Sequence, residues 1–130
     1  MNALEQTRTA AAIAKDWLGE GGEPVAQPLA EARATICEFC PENLRDDSWW
    51  GMIKHSAAIA FRECLEYRLG RSISVSNEDK LQFCCACGCH TKLKVHVPIQ
   101  HIRDHTPDAH RQRLPHSCWI IAEINGAKIL

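Results

Sequence analysis

The chain has 130 residues, 45% of them hydrophobic, and a formal net charge of −1. That length suits one domain able to bury a core unaided, and the near-neutral charge gives no global argument for a polyanionic partner. No stretch approaches the ~20 apolar residues that cross a bilayer, and Met1 to Arg8 lack the apolar run and cleavage site of an export signal, so the expected location is cytoplasmic, away from any membrane.

Residues 3–18 favour helix: Ala10, Ala11, Ala12 and Ala14 supply propensity, and Leu4, Ala11, Ala14 and Leu18 approximate one face. Gly19, Gly21 and Gly22 end it, and Pro24 and Pro28 bracket a connector. Leu29, Ala32, Arg33 and Ile36 then read as a short second helix running into Cys37. Asp46, Asp47 and Ser48 are N-cap types ahead of the clearest helix, Trp49 to about Leu69, closed by Gly70. Its apolar stripe is Trp49, Ile53, Ala57, Ala60, Cys64 and Tyr67, spaced by threes and fours, and predicts a core-facing side on which Cys64 is a small buried hydrophobe. Trp50, one step off the stripe, is a candidate protein-contact anchor.

Ser72 to Ser76 alternates polar and apolar, the pattern of a short strand or extended linker. Leu93, Val95 and Val97 alternate with Lys92, Lys94 and His96, which predicts a half-buried strand with a basic outer face. Ile99 to His105 and Pro107 to Arg113 read as short helical turns, and Trp119 to Ile124 as a closing apolar segment.

Eight cysteines narrow the chemistry most. Six fall into the pattern Cys37-x2-Cys40, Cys84-x2-Cys87-x-Cys89 and a late Cys118. In a reducing compartment clustered cysteines point to metal rather than to a disulfide framework, and a C-x2-C pair presents two sulfurs to one tetrahedral ion. The simplest ligand set is Cys37, Cys40, Cys84 and Cys87, with Cys89, Cys118 and His116 as alternates. The expected metal is zinc, and an iron–sulfur cluster is the alternative, because both take four thiolates and a Cys-Pro step such as Cys40-Pro41 accompanies many clusters. The long helix is then an insertion between the two halves of the site.

Residues 1–79 hold eight Lys/Arg and thirteen Asp/Glu, whereas residues 80–116 hold six and two, with six of the seven histidines. Lys92, Lys94, Arg103, Arg111 and Arg113 form a modest candidate surface for nucleic acid, a protein partner being the other option. His101 and His105 stand i, i+4 and could hold a second metal, but the neighbouring Asp104 is not placed as in H-E-x-x-H. No phosphate-binding glycine loop, paired-carboxylate signal or usable Cys-His arrangement is present, so no catalytic residue is assigned and the reading leans away from an enzyme.

Ile36-Cys37-x2-Cys40-Pro41, the Cys84-x2-Cys87-Gly88-Cys89 knuckle followed by Lys92-Leu93-Lys94-Val95, and Cys118-Trp119 resemble small cysteine-rich, zinc-ribbon-like proteins encoded by bacteriophages and prophages. The resemblance covers roughly residues 36–43 and 81–119. It implies a metal-stabilised accessory or virion-associated protein and supplies no mechanism.

The expectation is one domain over 1–130 of α+β class, mainly helical. Its parts are an N-terminal helical region (1–35), a metal-knuckle, ribbon-like region (36–45 and 80–119) and the inserted long helix (47–70), central and packed on the N-terminal helices. The expected function is a non-enzymatic zinc-stabilised binding or structural module. The alternatives are an iron–sulfur redox or sensing protein, and a metal-dependent nucleic-acid hydrolase or its accessory using the histidine-rich segment 96–116.

Overall fold

Trp17 and Ile13, four residues apart, decide which side of the first helix turns inward. The computed structural model describes residues 3–84 and 89–130, and its first helix, α1, runs Ala3–Gly19 with Trp17 1% and Ile13 5% exposed. Burying two large side chains outweighs the alanine face expected from the sequence, since stabilisation scales with the apolar area removed from water; Ala11 and Leu18 are exposed instead. The Trp17 indole N–H donates to the Glu23 carbonyl at 2.8 Å, so the ring also fixes the turn that follows. Gly22 holds that turn at φ +70° against Leu65.

Helix α2, Gln27–Glu38, begins with Pro at its first turn and buries Ala30, Arg33 and Ala34. Strand β1, Asn43–Leu44, follows, and then α3, Trp49–Leu69. The Ser48 hydroxyl caps α3 by accepting from the Gly51 N–H at 3.0 Å, and Gly70 ends it in the left-handed conformation. A 3-10 turn, Glu78–Lys80, leads into β2, Phe83–Cys84, which pairs antiparallel with β1 in the register Asn43 to Cys84 and Leu44 to Phe83. Four short helices complete the chain: α4 Thr91–Lys94, α5 Ile99–Asp104, α6 Asp108–Arg111 and α7 Trp119–Ile124.

The main core joins Trp17, Leu65, Val97, Ile102, Trp119 and Ile120; a second cluster holds Ala30, Ala34, Val75, Leu81 and Val95. The architecture is mainly helical with a two-stranded ladder, in line with the expected class. None of the helices among the described residues is long and apolar enough to cross a membrane.

Two expectations need correction, and one left open is decided. The alternation over Lys92–Val97 is not a strand: it is α4 and the turn after it, with Lys94, Val95, His96 and Val97 all buried. Burial on both sides erases the inside/outside contrast on which a period of two depends. Of the two readings open for Ser72–Ser76, the extended linker holds: it forms no ladder, with Ile73 and Val75 buried and the serines exposed. The long helix is peripheral rather than central. Its inward face is Gly51, Lys54, Ala58, Phe61 and Leu65, whereas the whole expected stripe, Trp49, Ile53, Ala57, Ala60, Cys64 and Tyr67, is exposed. Phe61 meets Trp17 at 6.0 Å between ring centroids, and an apolar cleft of about 270 Å³ remains between α1 and α3, with Lys54, Cys89 and His90 in its walls.

Candidate metal centre

The end of α2 makes the first cysteine turn. The Cys37 carbonyl accepts from the Cys40 N–H at 3.2 Å, and the Cys40 carbonyl accepts from Asn43 at 3.0 Å, so the chain folds back at once into β1. Asn43 then fastens the two cysteine segments together: its side chain donates to the Lys80 carbonyl at 3.0 Å and accepts from the Gln82 N–H at 2.7 Å. Past β2 the Cys84 N–H donates to the Cys89 carbonyl at 2.9 Å, Phe83 bridges His90 antiparallel, and Thr91 returns to Gln82, so residues 82–84 and 89–91 lie side by side. Cys118 arrives separately as the residue capping α7.

Cys37, Cys40, Cys84 and Cys118 thereby line one cavity of about 20 Å³, the volume of a single small occupant. Trp119 lies in its wall and donates its indole N–H to Cys37 Sγ at 3.2 Å. Burial pushes the Cys37 thiol up to about 11, opposed by that hydrogen bond and by the charge of Lys94, a 5%-exposed lysine in the same wall. A dry thiol resists ionising until a cation sits beside it, and a coordinating metal deprotonates it outright. Soft sulfur donors, one of them hydrogen-bonded, suit a thiophilic ion, and the charge of Lys94 favours the thiolate such an ion needs. Among the described residues, the three donors found within 4.8 Å of one another are those of Asp16, Glu20 and His101, and no three of the thiol sulfurs stand that close together.

Of the residues singled out from sequence, Cys37, Cys40 and Cys84 meet at this cavity, while Cys87 lies outside the described residues. Among the alternates, Cys118 is in the wall, Cys89 is buried against the apolar cleft instead, and His116 is exposed. Cys64, expected in the core, is exposed on α3.

Behind Trp119 lies a polar structure that the sequence did not announce. Arg33, 0% exposed, stacks over the Trp119 ring with Cζ 4.2 Å from its centroid. It binds Glu123 through Nε and Nη2 at 2.8 and 2.7 Å and donates Nη1 to the carbonyls of Val95 and Val97 at 3.1 and 2.7 Å. The fork of the guanidinium therefore joins α2, the turn after α4 and α7.

The histidine-rich segment is dispersed. His101 is buried and uses both ring nitrogens on α1, Nδ1 to Asp16 at 3.0 Å and Nε2 to Glu20 at 3.3 Å, while His105 Nε2 lies 3.5 Å from Asp16. These contacts tie α5 to α1 and hold the Asp16 carboxyl below its usual range, chiefly through the His101 hydrogen bond. Asp16 and Glu20 escaped the sequence reading although they stand one helical turn apart. His90 lines the apolar cleft instead, its Nε2 2.7 Å from His55 Nδ1 and its Nδ1 accepting from the Lys92 N–H. Burial, with the charge of His55 adding to it, depresses His90 to about 3. The basic patch is also broken: Lys94 is buried, Arg103 pairs with Asp104, and Arg111 is spent on the Thr106 and Arg103 carbonyls. No family model, curated protein or solved structure matches the chain.

Proposed function

We propose that the protein is a non-enzymatic, zinc-stabilised module that works by binding another protein. The observation that carries the metal is the convergence of Cys37, Cys40, Cys84 and Cys118, from three separate segments, on one small cavity with the Trp119 N–H on the Cys37 sulfur. Zinc there would add a cross-link to the β1–β2 ladder and the Arg33–Glu123 pair that already join these segments, and the thiolates would be quenched as nucleophiles. Cys37, Cys40 and Cys84 hold it, and the fourth ligand is drawn from Cys87 and Cys118. Protein is favoured over nucleic acid because burial of Lys94 thins the basic surface while Phe39, Trp49, Met52 and Tyr67 are 64–90% exposed.

The deciding experiment is metal analysis with an absorption spectrum on anaerobically purified protein. One zinc per chain is expected, lost on Cys37→Ser and on one of Cys87→Ser and Cys118→Ser, which identifies the fourth ligand. Iron with sulfide would instead establish the iron–sulfur reading. Nucleic-acid cleavage abolished by a His101→Ala, His105→Ala pair would establish the hydrolase reading. Metal-free protein would overturn all three.

A further inference from the structure

We infer that the exposed face of α3 is the interface of a symmetric, antiparallel homodimer. The inference rests on the protein-binding reading of that face and not on the metal. Trp50, Ile53, Ala57, Ala60, Cys64 and Tyr67 follow one another at steps of three, four, three, four and three, an unbroken a/d seam over the length of the helix. All six are exposed, Tyr67 at 90%. The core-facing side of α3, through Phe61 and Leu65, lies about a third of a turn round the helix from the middle of this seam, and Ala57 at the seam's edge also borders the cleft beside α1.

The order of side-chain sizes indicates what receives it. A two-fold axis between residues 58 and 59 sets Trp50 against the partner's Tyr67, Ile53 against the partner's Cys64 and Ala57 against the partner's Ala60. Every seam residue then faces another seam residue, the self-complementarity an isologous contact demands. Large side chains sit at both ends and small ones in the middle. Two helices crossing at an angle are closest at the crossing point and diverge outward, so alanines at the centre and aromatics at the ends match the gap.

Charge selects the antiparallel direction. Antiparallel pairing opposes the helix dipoles and sets Arg68, in the last turn of α3, beside the partner's helix N-terminus, whereas parallel pairing aligns the dipoles; Asp46, Asp47 and Arg71 are already paired with Lys54, Arg45 and Glu23. The area is also adequate. Trp49, Trp50 and Tyr67, exposed by 74%, 37% and 90%, leave ~400 Å² of aromatic surface in water at roughly 200 Å² per ring side chain. That is about half of the ~800 Å² each partner of a stable complex buries, with Met52, Ile53 and the alanines still to add.

Sedimentation equilibrium of the full chain under reducing conditions tests this, with zinc content read on the same samples so that the two proposals are scored separately. A species of twice the 14.6 kDa chain mass is expected. Ala60→Glu, exposed in the single chain, should keep the circular dichroism spectrum and weaken association by about a hundredfold or more, since the symmetric contact meets each buried charge twice. Ile53→Cys should link to the partner's Cys64 on mild oxidation, mapped by peptide mass spectrometry. A monomer at every concentration would overturn the inference and leave the seam to a different protein. A dimer indifferent to Ala60→Glu, or a link in the native chain between Cys64 and the partner's Cys64, would overturn it as well.

Discussion

Trp119 donates its indole N–H to Cys37 Sγ across 3.2 Å while its ring carries the Arg33 guanidinium on one face. One side chain thus connects the candidate metal site to the most deeply buried charge in the protein. Trp119→Phe would keep an aromatic ring and delete the donor. Loss of a supporting hydrogen bond to a ligand typically lowers metal affinity by about 10- to 100-fold, so chelator competition should show zinc affinity falling by about that factor, alongside a lower unfolding midpoint from the smaller ring in a fully buried site. Unchanged affinity would mean that the N–H supports packing alone.

Arg33 itself should be far less tolerant. Arg33→Ala strands Glu123, whose side chain is 9% exposed, together with the Val95 and Val97 carbonyls. Removing one partner of a buried ion pair costs about 3–5 kcal/mol, and urea unfolding monitored by tryptophan fluorescence would read it. Arg33→Lys should recover little, because a single ammonium cannot reproduce the planar fork or the stacking on Trp119.

How much of this was legible beforehand follows from which signals are local. Helix positions came through because Ser48, Gly70 and the prolines act on their own neighbours. The two cysteine pairs were visible as spacing, but the approach of Cys118 depends on α7 docking beside α2, and spacing does not encode that. Arg33 looked like one more residue of a short helix, because a buried arginine is recognisable only once its acceptors, 62 to 90 residues away, are in place. The stripe on α3 was read with the correct period and the wrong direction: periodicity shows that a face seeks cover and not whether the cover lies in the same chain.

His96 makes the acid limit of stability testable. It is 1% exposed, and its Nε2 has no hydrogen-bond partner among the described residues. Burial lowers it to about 4, with Arg62 and Arg33 adding repulsion against the smaller opposing effect of Glu31 and Glu66. The unfolded chain, at its ordinary value of ~6.5, binds the proton first. Stability from this group is therefore complete above about pH 6.5 and is lost as pH falls toward 4, by up to about 3 kcal/mol. His96→Leu should flatten that part of the pH profile relative to the native chain at pH 7, 6, 5 and 4. An unchanged profile would assign the acid limit to another group, His90, which burial also depresses, being the first to test.

Two glycines at the end of α1 should respond in opposite ways to the same change. Gly19 has open space where a Cβ would go and no left-handed backbone, so Gly19→Ala should be neutral or stabilise by up to about 1 kcal/mol through helix propensity and a less flexible unfolded chain. Gly22 is held at φ +70°, and a Cβ there would stand 2.5 Å from Leu65 Cδ2. Leu65 is 1% exposed and packs in the main core, so it has little room to move aside. Gly22→Ala should therefore cost about 1–3 kcal/mol, from left-handed strain together with displacement of a packed leucine. Thermal melts of the two variants side by side check the pair. Leu65 lies on the inward face of α3, so the Gly22 turn, like the Trp17–Phe61 contact, packs the long helix against the end of α1.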